Sequence, residues 1–264
     1  MTLPRAPRCV ITGAGDGLGR ALAIELARRS AQLILSDIDT AAAEDTAGLT
    51  MAEGATSARV VRCDVTRLDE IEALEAACEG DIDLVANNAG VASAGRVGEL
   101  AVHDWRWTLD VDLWGVVYGC HVFVPRLRRQ GHGHVLNVAS AAGLLCAPGM
   151  GAYNVAKAGV VALSETLAAE LRGTRIGVTV LCPTFFRSSI AKSGRFAHPG
   201  ARAQAQRLVE GGKTAESIAR AAIVSVDRTQ LYAVPMADAR WLWRLKRFSP
   251  RLFRAIIAQA SRRF

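Results

Sequence analysis

The sequence predicts an α/β fold: a doubly wound parallel sheet of seven strands in one domain, followed by a basic, amphipathic helical tail. Three observations carry this. Short apolar runs recur along the 264 residues, stretches with helical spacing separate them, and the runs are continuously apolar rather than alternating. The runs are CVIT (9–12), LILSD (33–37), ARVVRC (58–63), DLVAN (83–87), HVLNVAS (134–140), GVTVL (177–181) and LYAV (231–234). Between them, sets such as Leu18, Leu22, Leu26 and Leu68, Ile71, Leu74 repeat at helical intervals and are too long for hairpin loops. Alternation of strand and helix requires parallel strands joined by crossovers, and strands covered by helices on both faces need no polar side.

Composition narrows the class. Half the residues are apolar and 22% are charged, enough for a full core, which excludes intrinsic disorder and a coiled coil. No unit of repeat length recurs, so a solenoid or propeller is excluded. The six cysteines, Cys9, Cys63, Cys78, Cys120, Cys146 and Cys182, lie far apart without a CxxC pair and read as reduced core thiols. The opening MTLPRAPRCVITGAG lacks the apolar stretch of a secretory signal, which places the protein in the cytoplasm. From Gln130 to Ala156 no Asp, Glu, Lys or Arg occurs, yet Asn137, Ser140, Pro148, Tyr153, Asn154 and five glycines interrupt the run, so it reads as buried strand, loop and helix start.

The net charge is +7, but eight basic residues and no acidic one lie between Arg240 and Phe264; removing those eight leaves the first 239 residues at about −1. Basicity belongs to the tail, and no nucleic-acid surface is implied. With no linker before about Ala237, the division is a domain over 1–237 and an extension over 238–264.

The first strand runs into Thr12-Gly13-Ala14-Gly15-Asp16-Gly17-Leu18-Gly19 and then a helix, the order used by dinucleotide sites. Without side chains at Gly13, Gly17 and Gly19, backbone amides and the helix N-terminus can meet a pyrophosphate. The second strand ends at Asp37, whose carboxylate can accept hydrogen bonds from both adenosine ribose hydroxyls, and no Arg or Lys stands at Asp16 or Ile38 to neutralise a 2′-phosphate. NAD is therefore expected rather than NADP. Asp64 and Val65, just past the third strand, are placed to flank the adenine.

Tyr153 and Lys157 are one turn apart on a segment with helical periodicity. An ammonium beside a phenol, together with a positive nicotinamide, favours the phenolate and lowers its pKa from about 10. TGAGDGLG at 12–19, NNAG at 87–90, Ser140 thirteen residues before Tyr153, and YNVAK at 153–157 together resemble the classical short-chain dehydrogenase/reductase family, over roughly Arg8 to Val234. The resemblance implies a seven-stranded Rossmann-type sheet, homodimers or homotetramers, and hydride transfer between a nicotinamide and a carbon bearing oxygen. It implies that Tyr153 is the general acid or base, that Ser140 orients the substrate oxygen, and that Lys157 holds the nicotinamide ribose and tunes Tyr153. It also places Asn87, Ala89 and Gly90 beside the cofactor, and Pro183 and Ser188 near the carboxamide.

Two departures stand out. Where the family commonly has an Asn that completes a catalytic tetrad, this chain has Asp112, which when ionised only accepts hydrogen bonds; it can hold a water or pair with Lys157, and a carboxylate there raises the Tyr153 pKa. Thr184 replaces the usual Gly after the proline, with Phe185 and Phe186 following. The histidines lack metal-ligand spacing, so no metal is expected, and Cys182 reads as a packed thiol.

Segments 91–94, 144–150 and 184–212 are expected around the reacting carbon. Their apolar character suits a lipophilic alcohol or ketone, whereas Arg187, Lys192 and Arg195 would suit a carboxylate or phosphate. In the tail, Trp241, Leu242, Leu245 and Phe248 share one helical face, Arg240, Arg244 and Arg247 lie largely elsewhere, and Pro250 starts a second helix. That pattern fits a peripheral membrane contact on the inner face of the membrane, or packing on a neighbouring subunit or over the active site. The reading is an NAD-dependent oxidoreductase acting on a lipophilic secondary alcohol or ketone. Its rival is a non-catalytic NAD-binding sensor or scaffold of the same fold. A sugar epimerase or dehydratase would have another glycine spacing and a longer C-terminal region.

Overall fold

The computed structural model describes residues 2–261. The first half comprises β1 (Arg8–Thr12), α1 (Gly17–Ala27), β2 (Gln32–Asp37), α2 (Thr40–Ala52), β3 (Ser57–Arg62), α3 (Leu68–Ala76) and β4 (Leu84–Asn87). A two-residue strand β5 (Ser93–Ala94), α4 (Val102–Leu109) and a π-helical turn (Asp110–Trp114) lead into α5 (Gly115–Gln130). Then come β6 (His132–Val138), α6 (Ala141–Leu145), α7 (Gly151–Glu170), β7 (Arg175–Leu181), α8 (Ile190–Ser193), β8 (Arg195–Phe196), α9 (Pro199–Glu210), α10 (Ala215–Asp227) and β9 (Tyr232–Ala233). The chain closes with α11 (Ala237–Phe248) and α12 (Pro250–Ser261).

All seven expected strands form one parallel sheet in the order β3-β2-β1-β4-β6-β7-β9. The order reverses between β1 and β4, so the connections leaving their carboxyl ends diverge and open a crevice there. Apolar continuity tracks burial: β4 is buried throughout and β6 and β7 beyond their first residues, while the edge strand β3, with its two arginines, is half-exposed. One group of helices, α1 with α2 and α10, packs together, and a second group joins α3, α5 and α7. Phe123, Ile11, Leu22 and Leu136 are among the largest fully buried side chains between these layers.

His134 shows how this core responds to acid. Its Nε2 lies 2.8 Å from Thr179 Oγ1, and that hydroxyl donates to Gln230 O at 2.9 Å. The imidazole must therefore donate from Nε2, which leaves Nδ1 unprotonated, buried and without a hydrogen-bond partner among the described residues. Burial lowers its pKa from 6.5 to about 3. Between those values the unfolded chain binds a proton that the folded chain refuses, so stability falls as pH drops through this window. Denaturant unfolding of the wild type is expected to lose about 3 kcal/mol from this group between about pH 7 and about pH 4, and His134→Gln to flatten that slope.

Among the described residues five of the six cysteines are buried, in line with core thiols; Cys146 is the exception, exposed in a left-handed turn after α6. No described helix is long and apolar enough to cross a membrane. The described part of the predicted extension is seated on the domain: α11 packs against α6, Trp243 rests on Tyr232 with ring centroids 4.7 Å apart, and Lys246 Nζ donates to Leu144 O at 2.7 Å. The expected single apolar stripe is thus divided, with Leu242 and Leu245 half-buried while Trp241 and Phe248 face outward. Arg262 and Arg263, two of the eight basic residues, lie outside the described residues.

Candidate functional site

At the carboxyl end of β1 the chain turns sharply. Gly13 adopts φ +64°, and a Cβ there would lie 2.7 Å from Ala89 Cα. One turn into α1, a Cβ on Gly19 would fall 1.9 Å from Gly13 O, so only glycine lets the helix start this close to the strand. Asn88 locks the two loops together: its Nδ2 donates to Thr12 O at 2.8 Å and Gly13 O at 3.1 Å, and its backbone N–H donates to Thr12 Oγ1 at 3.0 Å.

A cavity of about 650 Å³ opens over this knot, within the range of small-molecule sites. Gly13, Asp16, Gly17 and Leu18 line it, with Asp37 at the end of β2, Asp64 and Val65 after β3, and Ala89 and Gly90 after β4. Ser140, Tyr153, Lys157, Pro183 and Ser188 complete its other end. Of the expected cofactor contacts, three do not reach its wall. Gly15 instead donates its N–H to Asp37 Oδ2 at 2.8 Å and holds that carboxylate at the rim. Gly19 lies inside the strand–helix packing. Asn87 is turned into the core, where its Nδ2 donates to Asn137 Oδ1 at 2.8 Å; its neighbour Asn88 faces the cavity. Successive side chains at a strand end face opposite ways, so only one of the two asparagines can do so.

The donor set fits a dinucleotide. Glycines that leave no Cβ between backbone and cavity, the start of α1, and a carboxylate at the far rim are the parts such a ligand needs.

At the other end, α6 and α7 bring the chemistry together. Ser140 caps α6, its Oγ accepting from Ala142 N at 3.1 Å. Gly143 allows α6 onto α7, since a Cβ there would meet Lys157 O at 2.5 Å. Lys157 Nζ, buried, donates to Val138 O at 3.1 Å, stands 3.5 Å from Asp112 Oδ1 and lies 5.7 Å from the Tyr153 ring centroid. Asp112 is wholly buried in the π-helical turn, where Oδ1 also accepts from Val91 N at 2.8 Å and Oδ2 has no hydrogen-bond partner among the described residues. Single-turn π-helical segments are frequent at functional sites, and this one carries the buried carboxylate.

Burial pushes the Asp112 carboxyl above its ordinary range, against the pull of Lys157 and the Val91 amide. Tyr153 is likewise raised, first by burial and then by Asp112, while hydrogen bonding with Ser140 works the other way. This is opposite to the lowering expected from the lysine. Desolvation of the phenol and the nearby carboxylate outweigh one ammonium in the protein alone. Cys182, just past the end of β7 and beside Ser140, is pushed up to about 12 by burial, as suits a packed thiol.

A second, smaller cavity of about 170 Å³ adjoins the first. Its lining is apolar, with Leu145, Met150, Phe185, Phe186, Ile190 and Phe196 prominent and, among the described residues, no charged side chain. Ser140 and Tyr153 belong to both walls, as do Thr184, Phe186, Ser188 and Ile190 of the segment after β7. That segment is built, not loose: β8 pairs with β5, and Ser189 hydrogen-bonds Asp16 across the first cavity. Arg187, Lys192 and Arg195 line neither cavity. Arg195 donates to Asp104 Oδ1 at 3.0 Å and stacks 4.1 Å over Trp107, Arg187 donates to Glu210 O, and Lys192 is exposed. Ser188, whose Oγ is buried and without a hydrogen-bond partner among the described residues, lies on the shared wall.

Sequence reasoning missed several lining residues. Ile38, Asp39, Cys63 and Thr66 lie at the Asp37 end; Trp107 and Val111 come from α4 and the π-helical turn. The first four adjoin predicted positions and were within reach of the strand-end argument, whereas nothing local marks Trp107. Among the described residues no three His, Cys, Asp or Glu converge as a metal site would require.

The sequence profile of the short chain dehydrogenases matches residues 8–197. A short chain dehydrogenase/reductase from Burkholderia phymatum, solved in complex with NAD, is 34% identical and superposes with a TM-score of 0.89 over 96% of both chains. A short-chain dehydrogenase from Sphingobium yanoikuyae, solved with NADPH, is 26% identical with a TM-score of 0.77, covering 89% of this chain and 91% of that one. SadH of Mycobacterium tuberculosis is 39% identical over 196 residues, 71% of this chain and 70% of its own. On the profile match and these likenesses, the chain belongs to the short-chain dehydrogenase/reductase family of oxidoreductases.

Proposed function

We propose that the protein transfers hydride between NAD(H) and a lipophilic secondary alcohol or ketone, with Tyr153 as the general acid or base. The observation that carries this reading is the shared wall: Ser140 and Tyr153 stand where the glycine-loop cavity meets a pocket without charge. A proton donor at that boundary reaches both a bound dinucleotide and a substrate oxygen.

The amides of the glycine loop would hold the pyrophosphate, Asp37 the adenosine ribose, and Asp64 and Val65 the adenine. Lys157 would take the nicotinamide ribose, and Pro183 and Ser188 the carboxamide side. When bound, the nicotinamide supplies the hydride donor or acceptor. The chain's own groups do the rest. Ser140 would orient the substrate oxygen and Tyr153 exchange a proton with it. Lys157 would place a positive charge beside the phenol, and Asp112 would position Lys157. Seating the reacting carbon among Leu145, Met150 and Phe186 excludes water from the transfer.

Preference for NAD is supported by charge. Asp16, Asp37, Asp39 and Asp64 line the cavity, and Lys157, at the opposite end, is the one lysine or arginine on its wall among the described residues. A 2′-phosphate there would meet carboxylates without a cation. Asp37→Asn keeps an acceptor for the Gly15 amide and removes the charge, so it is expected to narrow the ratio of kcat/KM for NAD over NADP by about tenfold. Homodimers or homotetramers are part of the reading; Trp114 and Val155, both about half exposed, offer apolar contact on the π-helical turn and α7, which pack on each other.

A panel of secondary alcohols offered with NAD and with NADP, followed by absorbance of the reduced nicotinamide, tests the reading. Turnover with NAD on uncharged, apolar members is the expected result. NAD binding without turnover of any member would replace the enzyme with a dinucleotide-binding sensor.

A further inference from the structure

Exposed apolar residues occur on both helices of the C-terminal hairpin, α11 and α12, which contact each other. On α11, Trp241, Arg244 and Phe248 follow at i, i+3 and i+7, with Trp241 59% and Phe248 92% exposed. The next helix adds Leu252, 52% exposed, with Arg251 and Arg254 exposed beside it. Other residues of the hairpin hold it down: Ala239 and Phe253 are buried, Trp243 lies on Tyr232, and Lys246 is bonded to Leu144. The hairpin is therefore fixed to the body while large apolar side chains project from it among arginines.

Charge selects the occupant. Over residues 237–261 the chain has Arg240, Arg244, Lys246, Arg247, Arg251 and Arg254 against Asp238 alone. Among the described residues no ion pair involves any of these cations. A second copy docked about a two-fold axis would set the same arginines against one another. A bilayer interface with anionic headgroups instead offers phosphate to the guanidinium groups and a fluid boundary into which aromatic rings insert. We propose that the α11–α12 hairpin docks on an anionic lipid surface, with Trp241, Phe248 and Leu252 seated between headgroups and Arg244, Arg251 and Arg254 on their phosphates.

Position in the fold gives the contact a use. Ala141, Ala142 and Leu145 of α6 line the apolar cavity, and Lys246 of α11 holds the Leu144–Cys146 end of the same helix. Docking would set the wall of the lipophilic pocket beside the bilayer. The lipid contact itself stands independently of the proposed chemistry, and its test needs no turnover.

Flotation of the purified full chain with vesicles decides it. With phosphatidylcholine vesicles containing phosphatidylglycerol the protein is expected to float, with phosphatidylcholine alone to stay in solution, and about 0.5 M salt to release it. The Trp241→Ser/Phe248→Ser pair is expected to weaken binding about tenfold, as is the Arg244→Gln/Arg251→Gln pair, with melting temperature and mass by light scattering unchanged. Failure to float on any vesicle overturns the proposal, and so does equal flotation on neutral vesicles. A change of oligomeric mass in the variants while flotation persists assigns the surface to a second copy and overturns it too.

Discussion

Tyr153→Phe is expected to lower kcat by about a thousandfold while leaving NAD binding and folding nearly intact. The substitution deletes one hydroxyl and keeps the ring that packs at the start of α7. What disappears is the hydroxyl at the junction of the two cavities, hydrogen-bonded with Ser140, to which the proposed mechanism assigns proton exchange with the substrate oxygen. Positioned acid–base groups of this kind contribute about a hundred- to ten-thousandfold. The measurement is a pair: turnover of the best alcohol from the panel, and NAD affinity by quenching of protein fluorescence. Retained turnover would remove Tyr153 from the chemistry, whereas lost NAD binding would give the residue a binding role instead.

The second large effect lies in the pH profile. Asp112 is buried 3.5 Å from Lys157, and its charge raises the Tyr153 pKa after burial has already done so. Under the proposed mechanism alcohol oxidation needs the phenolate, so its rate would climb with pH through the tyrosine's titration. Asp112→Asn removes a negative charge that opposes phenolate formation, and the rising limb of kcat is expected to move to lower pH. The amide is isosteric and still accepts from Val91 N, so the π-helical turn should hold. Recording kcat for oxidation against pH in both forms checks this. A limb that stays in place assigns Asp112 a packing role alone, and one that moves upward reverses the sign of its coupling to the tyrosine.

The sheet and most of the site were legible because they depend on local patterns. Apolar runs marked every strand of the main sheet, and glycine spacing after the first of them marked the cavity floor. Other features are set by tertiary contact. Ser93–Ala94 and Arg195–Phe196 are two-residue strands that exist only because they find each other, and no window of sequence distinguishes them from loop. Asn87 and Asn88 look alike in the sequence, yet one joins a buried amide network and the other ties two loops. The cations after β7 promised an anion site, but Asp104, Trp107 and the carbonyl of Glu210 engage two of them. The tail's apolar stripe was visible, whereas its division between the body and solvent required Tyr232 and Leu144 as neighbours.

Thr184, Phe186, Ser188 and Ile190 each face both chambers. Any shift of this strap that tightens the grip on one ligand reshapes the berth of the other. Thermodynamic reciprocity then obliges the two affinities to change by an equal factor, whichever molecule arrives first. If the two chambers take nucleotide and alcohol as proposed, coupling between them would run in part through these four side chains, which can be varied without touching Ser140 or Tyr153 on the same shared wall.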